Sequence, residues 1–503
     1  MDNLQLLLDG FGNALTLENL TYAAIGVVIG TFVGVLPGIG PAMALALLLP
    51  ITYGLEPTQS LIIFAGIYYG AMYGGSTTSI LLNTPGESAS VMTAIEGNKM
   101  AKKGRAAQAL ATAAIGSFVA GTIATLLVAL FAPSIAEQAV KIGAPSFFAI
   151  MLLSLVLVTA VLGSSKLRGF IGLFIGLTIG LVGLDLSTGQ ARLTGGVTQL
   201  VDGVDIVVVA VGLFAIGESF WIAAHLRRAP IEVIPVGRPF LGREDWARSW
   251  KPWLRGTALG FPFGALPAGG AETPTFLSYV TEKKLSKNKD EFGHGAIEGV
   301  AGPEAANNAS AAGMFIPLLA LGIPVTATAS ILLAAFKTYG IVPGPTLMTD
   351  QPDLVWTLLA SLLIGNALLL VINLPLAPMW AKLLQVPRPQ LYAGILFFAS
   401  LGAYAVNQNP FDIALLLFFG GVGFAVRRFG IPILPLILGV IIGPLMEVKM
   451  REALDISDGN ISGLFNEGLA IGIYVLIVLA IVVPIVIDRV RRRGGSLSEG
   501  VAS

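Results

Sequence analysis

The dominant pattern along the chain is a series of long apolar runs separated by short polar segments. About 20 apolar residues carry a helix across the hydrocarbon core of a bilayer. Interrupted runs at 20–53, 61–86, 256–280 and 314–335 alternate with continuous ones. The pattern predicts an all-α polytopic membrane protein with about 10–12 transmembrane segments. The continuous runs cover 106–131, 147–162, 169–184, 206–224, 354–377, 391–405, 413–426, 431–446 and 468–487.

Two stretches in the first half break apolar runs with residues typical of loops. They are 34–40 (Gly-Val-Leu-Pro-Gly-Ile-Gly) and 74–87 (Gly-Gly-Ser-Thr-Thr-Ser-Ile-Leu-Leu-Asn-Thr-Pro-Gly-Glu). Backbone that leaves a helix at membrane depth needs protein or a watery cavity to satisfy its N–H and C=O groups. Transporters use such broken helices to bind substrates and ions. A packing kink is the alternative interpretation of a single break, because Gly and Pro are common in membrane helices.

Both breaks have counterparts in the second half. The stretch 264–270 (Gly-Ala-Leu-Pro-Ala-Gly-Gly) matches 34–40, and 313–324 parallels 74–85. Further on, the Ala-Pro pair at 132–133 recurs at 377–378. The offset between counterparts rises from about 230 to about 245 residues, which indicates a duplication with small insertions.

The basic clusters predict how the two halves are oriented. Lys and Arg favour cytoplasmic loops, and counting back from the basic C-terminal segment places the loop at 133 outside and its counterpart at 378 inside. We therefore expect two inverted-topology repeats with broken helices or re-entrant hairpins. A full span at 256–280 would put the Lys-rich 281–294 loop outside, whereas a re-entrant hairpin with its tip at 267–270 keeps both flanks inside. The charge bias favours the hairpin.

These patterns predict five parts of the chain. Residues 1–19 lack the basic start of a signal peptide and are interpreted as a helix lying on the membrane surface. The other parts are a first membrane repeat (20–224), a cytoplasmic linker (225–255), a second membrane repeat (256–446) and a final part (447–503) with a periplasmic loop, the last transmembrane helix and a basic cytoplasmic tail.

Composition excludes several classes of protein. Charged residues make up 12% of the 503 residues, about half the share usual in soluble domains. A net charge of +0 gives no sign of nucleic-acid binding, and the absence of Cys excludes thiol chemistry and thiolate metal sites. With two well-separated His, the sequence predicts no cofactor and no metal site beyond one for a transported sodium ion. It leaves open whether the coupling cation, a co-substrate, is sodium or a proton.

The candidate site consists of groups in or beside the breaks. Hydroxyls, amides and free N–H groups at half-helix starts can hold an anion without Lys or Arg, and none of these basic residues lies in the breaks. The alternative interpretation of the Ser/Thr groups is contact between helices. Acidic side chains at membrane depth usually face a cavity or a partner, which makes Glu87, Glu272 and Glu304 ion-coupling candidates. The substrate-binding candidates are Gly38, Gly40, Ser76, Thr77, Thr78, Asn83, Thr84, Pro85, Gly86, Ala268, Gly269, Gly270, Asn307, Asn308, Ser310, Gly322 and Pro324.

The runs at 34–41, 73–87 and 95–105 (Ile-Glu-Gly-Asn-Lys-Met-Ala-Lys-Lys-Gly-Arg) resemble the large membrane subunit of tripartite tricarboxylate transporters, the TctA type. The stretches 302–309 and 321–324 resemble it too, so the likeness covers nearly the whole chain. This resemblance implies an ion-driven importer of citrate or related carboxylates in the bacterial inner membrane. It also implies two partners, a small membrane subunit (TctB type) and a periplasmic binding protein (TctC type).

Two other classes of function stay open from the residues alone. One is a channel or a structural membrane subunit. A channel needs a continuous pore, whereas paired breaks at the membrane midplane favour a carrier. An intramembrane enzyme would need a nucleophile with a base or paired acids near a metal, and the sequence has no such constellation. It also lacks a Gly-rich Lys-Ser/Thr loop for ATP.

Overall fold

The protein is an almost entirely helical chain, here in a computed structural model that describes residues 3–36, 39–52, 54–161, 165–185, 188–225, 234–266, 270–384 and 386–499. One short antiparallel pair, β1 (Gly183–Leu184) and β2 (Ala191–Arg192), lies among these residues. The helices are α1 (Asn3–Ala14), α2 (Leu17–Gly34), α3 (Pro41–Leu48), α4 (Pro57–Leu82), α5 (Val91–Met100), α6 (Ala106–Ala139), α7 (Ala144–Val161), α8 (Lys166–Gly180), α9 (Ile206–Val211), α10 (Gly217–Ala224), α11 (Arg243–Ala265), α12 (Glu272–Leu285), α13 (Glu298–Gly313), α14 (Phe315–Leu321), α15 (Ala327–Thr338), α16 (Leu347–Asp350), α17 (Pro352–Leu368), α18 (Leu374–Leu383), α19 (Arg388–Asn407), α20 (Pro410–Arg428), α21 (Ile433–Asp455) and α22 (Gly468–Glu499).

Helix length and hydropathy confirm the predicted class, an all-α polytopic membrane protein. Six described helical segments are long and apolar enough to cross a membrane, and several shorter apolar helices accompany them. The six are Leu17–Gly34, Ser88–Ala139, Ile206–Ala224, Pro352–Leu383, Pro410–Arg428 and Ile433–Asp455; the shorter ones are Ala144–Thr159, Ala327–Thr338, Tyr392–Tyr404 and Gly468–Val483.

Two polar segments differ from the sequence prediction. The predicted loop that starts at residue 447 begins as helix, because α21 continues to Asp455 and Arg451 bonds to Glu447 one turn earlier at 2.7 Å. The second part of the predicted linker is also helical, since α11 begins at Arg243. Arg248 on this helix bonds to Glu298 at 2.7 Å. In both segments, charged side chains that form ion pairs allow the helix to continue beyond its apolar part.

The described residues form two compact units. The first comprises Met1–Ala139, Val204–Leu266 and Gly270–Phe429, and the second comprises Val140–Gly203 and Gly430–Ser503. Within the second unit, α8 packs closely along α21, where a Cβ on Gly180 would lie 2.7 Å from the Val440 carbonyl oxygen. The predicted site residues that the structure describes all lie in the first unit.

In the first unit, α2 packs against α4 through a row of glycines one turn apart. Each of Gly26, Gly30 and Gly34 lies against the backbone of α4, at residues 63, 67 and 71 respectively. A Cβ on Gly30 would stand 2.5 Å from the Ile67 carbonyl oxygen. No side chain fits in such a gap, so these two helices approach as closely as their backbones allow.

The pair α11 and α13 repeats this arrangement. Gly256, Gly260 and Gly264 lie against the backbone of α13 at residues 302, 306 and 310. Every glycine is 230 positions after its counterpart on α2, and every contacted residue is 239 positions after its counterpart on α4. These offsets match those of the sequence motifs, so the correspondence predicted from the motifs extends to helix packing.

The ends of the second breaks also correspond. Asn83 closes α4 with a φ of 55°, and Gly322 closes α14 with a φ of 68°. Asn and Gly are the residues that adopt this left-handed conformation most readily. The two breaks therefore have the same local geometry. The opposite membrane orientation of the two halves stays a prediction.

Candidate functional site

The most buried acid among the candidates is Glu304 on α13, which is 1% exposed. Its Oε1 accepts hydrogen bonds from Ser76 at 2.5 Å, from Ser117 at 3.3 Å and from the Asn308 amide at 3.3 Å. Its Oε2 accepts one from Thr93 at 2.8 Å. Four neutral donors from α4, α5, α6 and α13 thus replace the water that a buried carboxylate loses.

The second acid, Glu87, lies beyond the end of α4 and contacts the other half of the chain. Asn307 on α13 donates from Nδ2 to Glu87 Oε1 at 2.8 Å. The opposite atom of the same amide, Asn307 Oδ1, is buried and has no hydrogen-bond partner among the described residues. This contact joins the Thr-Pro-Gly-Glu turn of one half to the Asn-rich helix of the other.

The third acid, Glu272, begins α12 just after the break in the second half. Its Oε2 is also buried without a hydrogen-bond partner in the described part of the chain. Gly270 precedes it with a φ of 61°, and the Glu272 carboxylate folds back against this glycine. Ser310, one turn along α13 from Asn307, contacts the Gly270 carbonyl oxygen at 3.5 Å.

All three acids are connected to α13. Glu304 lies on this helix, Asn307 bonds Glu87, and Ser310 contacts the carbonyl of Gly270, two residues before Glu272. No ion pair to a Lys or Arg involves any of the three among the described residues. We call the group formed by Gly270, Glu272, Glu87, Asn307 and Ser310 the central cluster.

The remaining Ser and Thr candidates are used inside the protein. Thr77 bonds the Tyr73 carbonyl one turn earlier at 3.1 Å. Thr78 bonds both the Gly74 carbonyl at 3.0 Å and the Val35 carbonyl of the first break at 2.9 Å. Both side chains are buried. In this conformation the Thr77 hydroxyl bonds within α4, and the Thr78 hydroxyl also joins α4 to the segment that follows α2.

Other candidates line the breaks themselves. A Cβ on Gly40 would lie 2.8 Å from the Gly86 carbonyl oxygen, so the two breaks of the first half touch. Asn83 is exposed, and Thr84, Pro85 and Gly86 are half-buried, whereas Gly322 and Pro324 are buried. Gly38, Ala268 and Gly269 lie outside the described residues.

The two half-helices that follow the first breaks start in the same way. Both α3 and α12 have no hydrogen bond from a side-chain cap at their first turn. Pro41 opens α3, and Ala271 lies before α12 at the position 230 residues later. Helix starts of this kind present N–H groups and a positive dipole end, which attract anions.

Two partners of Glu304 were missed in the sequence. Thr93 lies on α5 after the second break, and Ser117 lies in the middle of α6. Neither stands in a Gly- or Pro-rich stretch, so no local signal marks them. The only sequence signal for Ser117 is that it is a small polar residue inside the apolar run 106–131.

Glu96 is another buried acid that the sequence did not single out as functional. It accepts backbone hydrogen bonds from Gly293, Gly295 and Ala296, the last two at 2.7 and 3.0 Å, and a phenol bond from Tyr279 at 2.6 Å. Its carboxylate therefore fixes the loop before α13. Nearby, the hydrogen bond from Arg255 to Glu282 at 2.8 Å raises the pKa of the arginine above its ordinary value.

The fold and the cluster together define a class: a multi-pass membrane protein whose paired helix breaks surround buried polar groups, an arrangement that secondary transporters use. Comparison with known proteins narrows this class. A family model described as "Tripartite tricarboxylate transporter TctA family" matches residues 20–438, and the chain belongs to this family. This match confirms the predicted resemblance. Members of the family are components of transporters, so tricarboxylate transport is supported for the family as a whole.

Two curated relatives come from Agrobacterium vitis. One, named as an uncharacterized 52.8 kDa protein in the TAR-I ttuC' 3' region, is 46% identical over 460 residues, which is 92% of each chain. The other, an uncharacterized protein in the TAR-II ttuC' 3' region, is 50% identical over 197 residues, covering 39% of this chain and 81% of the relative. No solved structure matches this chain.

Proposed function

We propose that this chain is the large transmembrane subunit of a binding-protein-dependent secondary transporter that imports citrate-like tricarboxylates or dicarboxylates, driven by a cation gradient. The observation that carries the proposal is the meeting of both halves at the central cluster, where Asn307 of one half holds Glu87 of the other at 2.8 Å. Family membership over residues 20–438 supports the substrate class.

In this proposal the substrate lies beside the breaks, against exposed Asn83, half-buried Gly86 and the starts of α3 and α12. Backbone N–H groups and amides can stabilise a carboxylate by about 1.5–3 kcal/mol per hydrogen bond to the charged group. Several such bonds together bind an anion without a basic side chain. The negative charge of the cluster then requires a cation to enter with the substrate, since like charges at low dielectric repel.

The proposal includes two protein partners and a location. A small membrane subunit of the TctB type completes the membrane complex in the bacterial inner membrane. A periplasmic binding protein of the TctC type delivers the carboxylate. Both partners follow from the tripartite nature of the family rather than from contacts of this chain.

Reconstitution tests the proposal. The chain is inserted into liposomes with the small membrane subunit, and uptake of labelled citrate is measured with the binding protein outside. Sodium and proton gradients are imposed separately. We expect concentrative uptake that needs the binding protein and one of the two gradients.

Each omission serves as a control. Without the binding protein, uptake at micromolar citrate should be negligible. Passive equilibration that ignores both gradients would indicate a channel and contradict the proposal. Robust micromolar uptake by this chain alone would show that the partners are not required.

A further inference from the structure

The first three turns of α11 are held to the protein along one side. Arg248 donates to the Glu298 carboxylate at 2.9 and 2.7 Å. The Thr112 hydroxyl donates to Ser249 at 2.9 Å. Trp253 is buried, and its indole N–H donates to the Thr112 carbonyl oxygen at 3.1 Å. These contacts fix the rotation of α11 about its own axis, so the residues of its opposite side point away from the protein.

The opposite side of α11 is exposed at every fourth residue. The exposed residues in this series are Trp246, Trp250, Leu254, Ala258 and Pro262. Residues four apart lie one above the other on one side of a helix. Ala258 and Pro262 belong to the apolar part of α11, which starts at Gly256 and enters the depth where hydrocarbon surrounds the protein. The exposed stripe therefore continues without a break from the lipid-facing part of the helix into its polar part.

The exposed residues that precede the apolar part are large and mostly aromatic. Trp246 and Trp250 are 48% and 43% exposed. At 1.5 Å per residue, Leu254, Trp250 and Trp246 lie about 3, 9 and 15 Å before the apolar part along the helix axis. The headgroup region extends about 5–8 Å beyond the hydrocarbon on each side of a bilayer, and indole rings concentrate there. The Trp250 ring therefore reaches the headgroup region, whereas Trp246 lies at its edge toward water.

Basic side chains accompany the two indoles. The Lys251 ammonium lies 5.4 Å from the centre of the Trp250 ring. Lys251 and Arg243 are both exposed, and neither forms an ion pair with the residues that the structure describes. Glu244, the acid next to Arg243, lies 4.0 Å from Arg248 instead. The available charge on this side of α11 is therefore positive, which complements the phosphates of anionic lipids.

We propose that this side of α11 docks on the headgroup layer of the bilayer and binds anionic phospholipids. We call it the lipid face and define it by Arg243, Trp246, Trp250, Lys251 and Leu254. Arg243 and Lys251 bind lipid phosphates, and Leu254 reaches the start of the acyl chains. Since the glycines of the same helix pack against α13, bound lipid also stabilises the position of α13. The lipid face involves neither the carboxylate nor the coupling cation of the proposed function.

Depth in the bilayer tests the docking. Because the chain has no Cys, a single nitroxide spin label can be attached through Trp250→Cys, Leu254→Cys or the exposed control Asp290→Cys. The full chain is placed in vesicles that contain phosphatidylglycerol, with and without the small membrane subunit. Relaxation of the label by oxygen, which enters hydrocarbon, is compared with relaxation by a water-soluble nickel chelate. We expect oxygen to dominate at 254, nickel to dominate at 290, and an intermediate ratio at 250.

Lipid selectivity is measured on the purified chain in detergent. We expect phosphatidylglycerol to raise the melting temperature in a saturable way, and phosphatidylcholine and inorganic phosphate not to, because a ligand stabilises the state that binds it. The double variant Arg243→Gln, Lys251→Gln should weaken the apparent affinity for phosphatidylglycerol at least about tenfold. The control Lys284→Gln, Lys289→Gln removes the same charge from exposed residues outside the lipid face and should respond as the wild type does.

The proposal is overturned if the labels at 250 and 254 are as accessible to nickel as the label at 290, since the lipid face would then lie in water. It is also overturned if both phospholipids act alike, or if the two double variants lose the response equally. A label at 250 that the small membrane subunit shields from both reagents would assign this face to a protein instead of lipid. None of these measurements uses uptake, so they can fail while the proposed transport function holds.

Discussion

Helices α4 and α13 occupy corresponding places in two similarly packed pairs, yet they carry different chemistry. Each faces a row of three glycines, on α2 and α11 respectively. Near the breaks, α4 presents hydroxyls, whereas α13 presents the Glu304 carboxylate and the amides of Asn307 and Asn308 in addition to the hydroxyl of Ser310. The backbone contacts were kept while the polar groups diverged.

The difference makes each half incomplete without the other. Ser76 and Thr93 of the first half supply donors, and Glu304 of the second half supplies the acceptor. Glu87 of the first half in turn receives its hydrogen bond from Asn307 of the second. Two copies with identical chemistry could not pair in this way, since hydroxyls and carboxylates would each face their own kind.

The largest expected effect concerns the orientation of the two halves. Glu137 and Lys382 are exposed and occupy counterpart positions 245 residues apart. The chain has no native Cys, so a single Cys can be placed at either residue. We expect an impermeant maleimide added to intact cells to label Cys at 137 and not at 382, because the distribution of basic residues predicts opposite topology for the two halves.

Two further positions calibrate the labelling. Exposed Gln199 is predicted outside and should label, whereas exposed Lys284 is predicted inside and should not. Equal labelling at 137 and 382 would mean that the halves share one orientation, which would break the inverted repeat while leaving the matched packing in place.

The next effect is on stability. Glu304→Leu removes the acceptor of Thr93 and Ser117 and one of the acceptors of Ser76 and Asn308, which should cost at least about 3 kcal/mol. Ser76→Ala removes one hydrogen bond to a charged group and should cost about 1.5–3 kcal/mol. In the double variant the loss should be smaller than the sum, because both residues belong to one network. Melting temperature and folded yield measure these changes.

Simple additivity of the two substitutions would show that Ser76 and Glu304 are energetically independent. The donors of the first half and the acceptor of the second would then be in contact without stabilising each other.

A smaller effect tests the shared packing. Gly30→Ala and Gly260→Ala each place a methyl group against backbone that cannot yield, and each should destabilise the protein by about 1–3 kcal/mol. Thermal unfolding compares the two variants. Gly421→Ala on α20 is the control, since a Cβ at that position would have nothing within 4 Å. A large loss in one variant and none in the other would show that the two glycine rows are not equivalent.

The smallest structural effect is expected at the ends of the second breaks. Asn83→Gly keeps the left-handed conformation that Gly322 already uses and removes only the amide. Stability should change little, while citrate uptake should fall at least about tenfold if the amide binds substrate. Gln408, another left-handed helix end with a φ of 52°, provides the control Gln408→Gly. Normal uptake by Asn83→Gly would leave Asn83 a purely structural cap.

Local patterns were sufficient for much of the fold. The motif at 74–85 and its counterpart at 313–324 predicted two matching breaks, and Asn83 and Gly322 end their helices alike. The predicted start of the first of these breaks was wrong, because α4 continues through Gly74 and Gly75 to Leu82. Such breaks are readable because Gly, Pro and Asn change backbone geometry within a few residues. Glu87, Glu272 and Glu304 stood out for a related reason, since acids are rare in apolar runs.

Other features carried no local sign. The sequence could not show that Ser76 bonds Glu304 instead of standing free for a substrate, because the two residues are 228 positions apart. Thr93 and Ser117 look like ordinary small polar residues of helices, and Glu96 looks like part of a charged loop. Their roles depend on which helices become neighbours.

The sequence by itself determined the membrane class, the presence of the breaks and the correspondence of the two halves, because hydropathy, helix-breaking residues and repeated spacing act over short stretches. Only the tertiary structure decided how the polar groups pair. The neighbouring positions of α4, α5, α6 and α13 determine which donors reach Glu304. One oxygen each of Asn307 and Glu272 has no hydrogen-bond partner among the described residues. Hydrogen bonds act over about 3 Å, so their assignment waits for the fold that brings distant residues together.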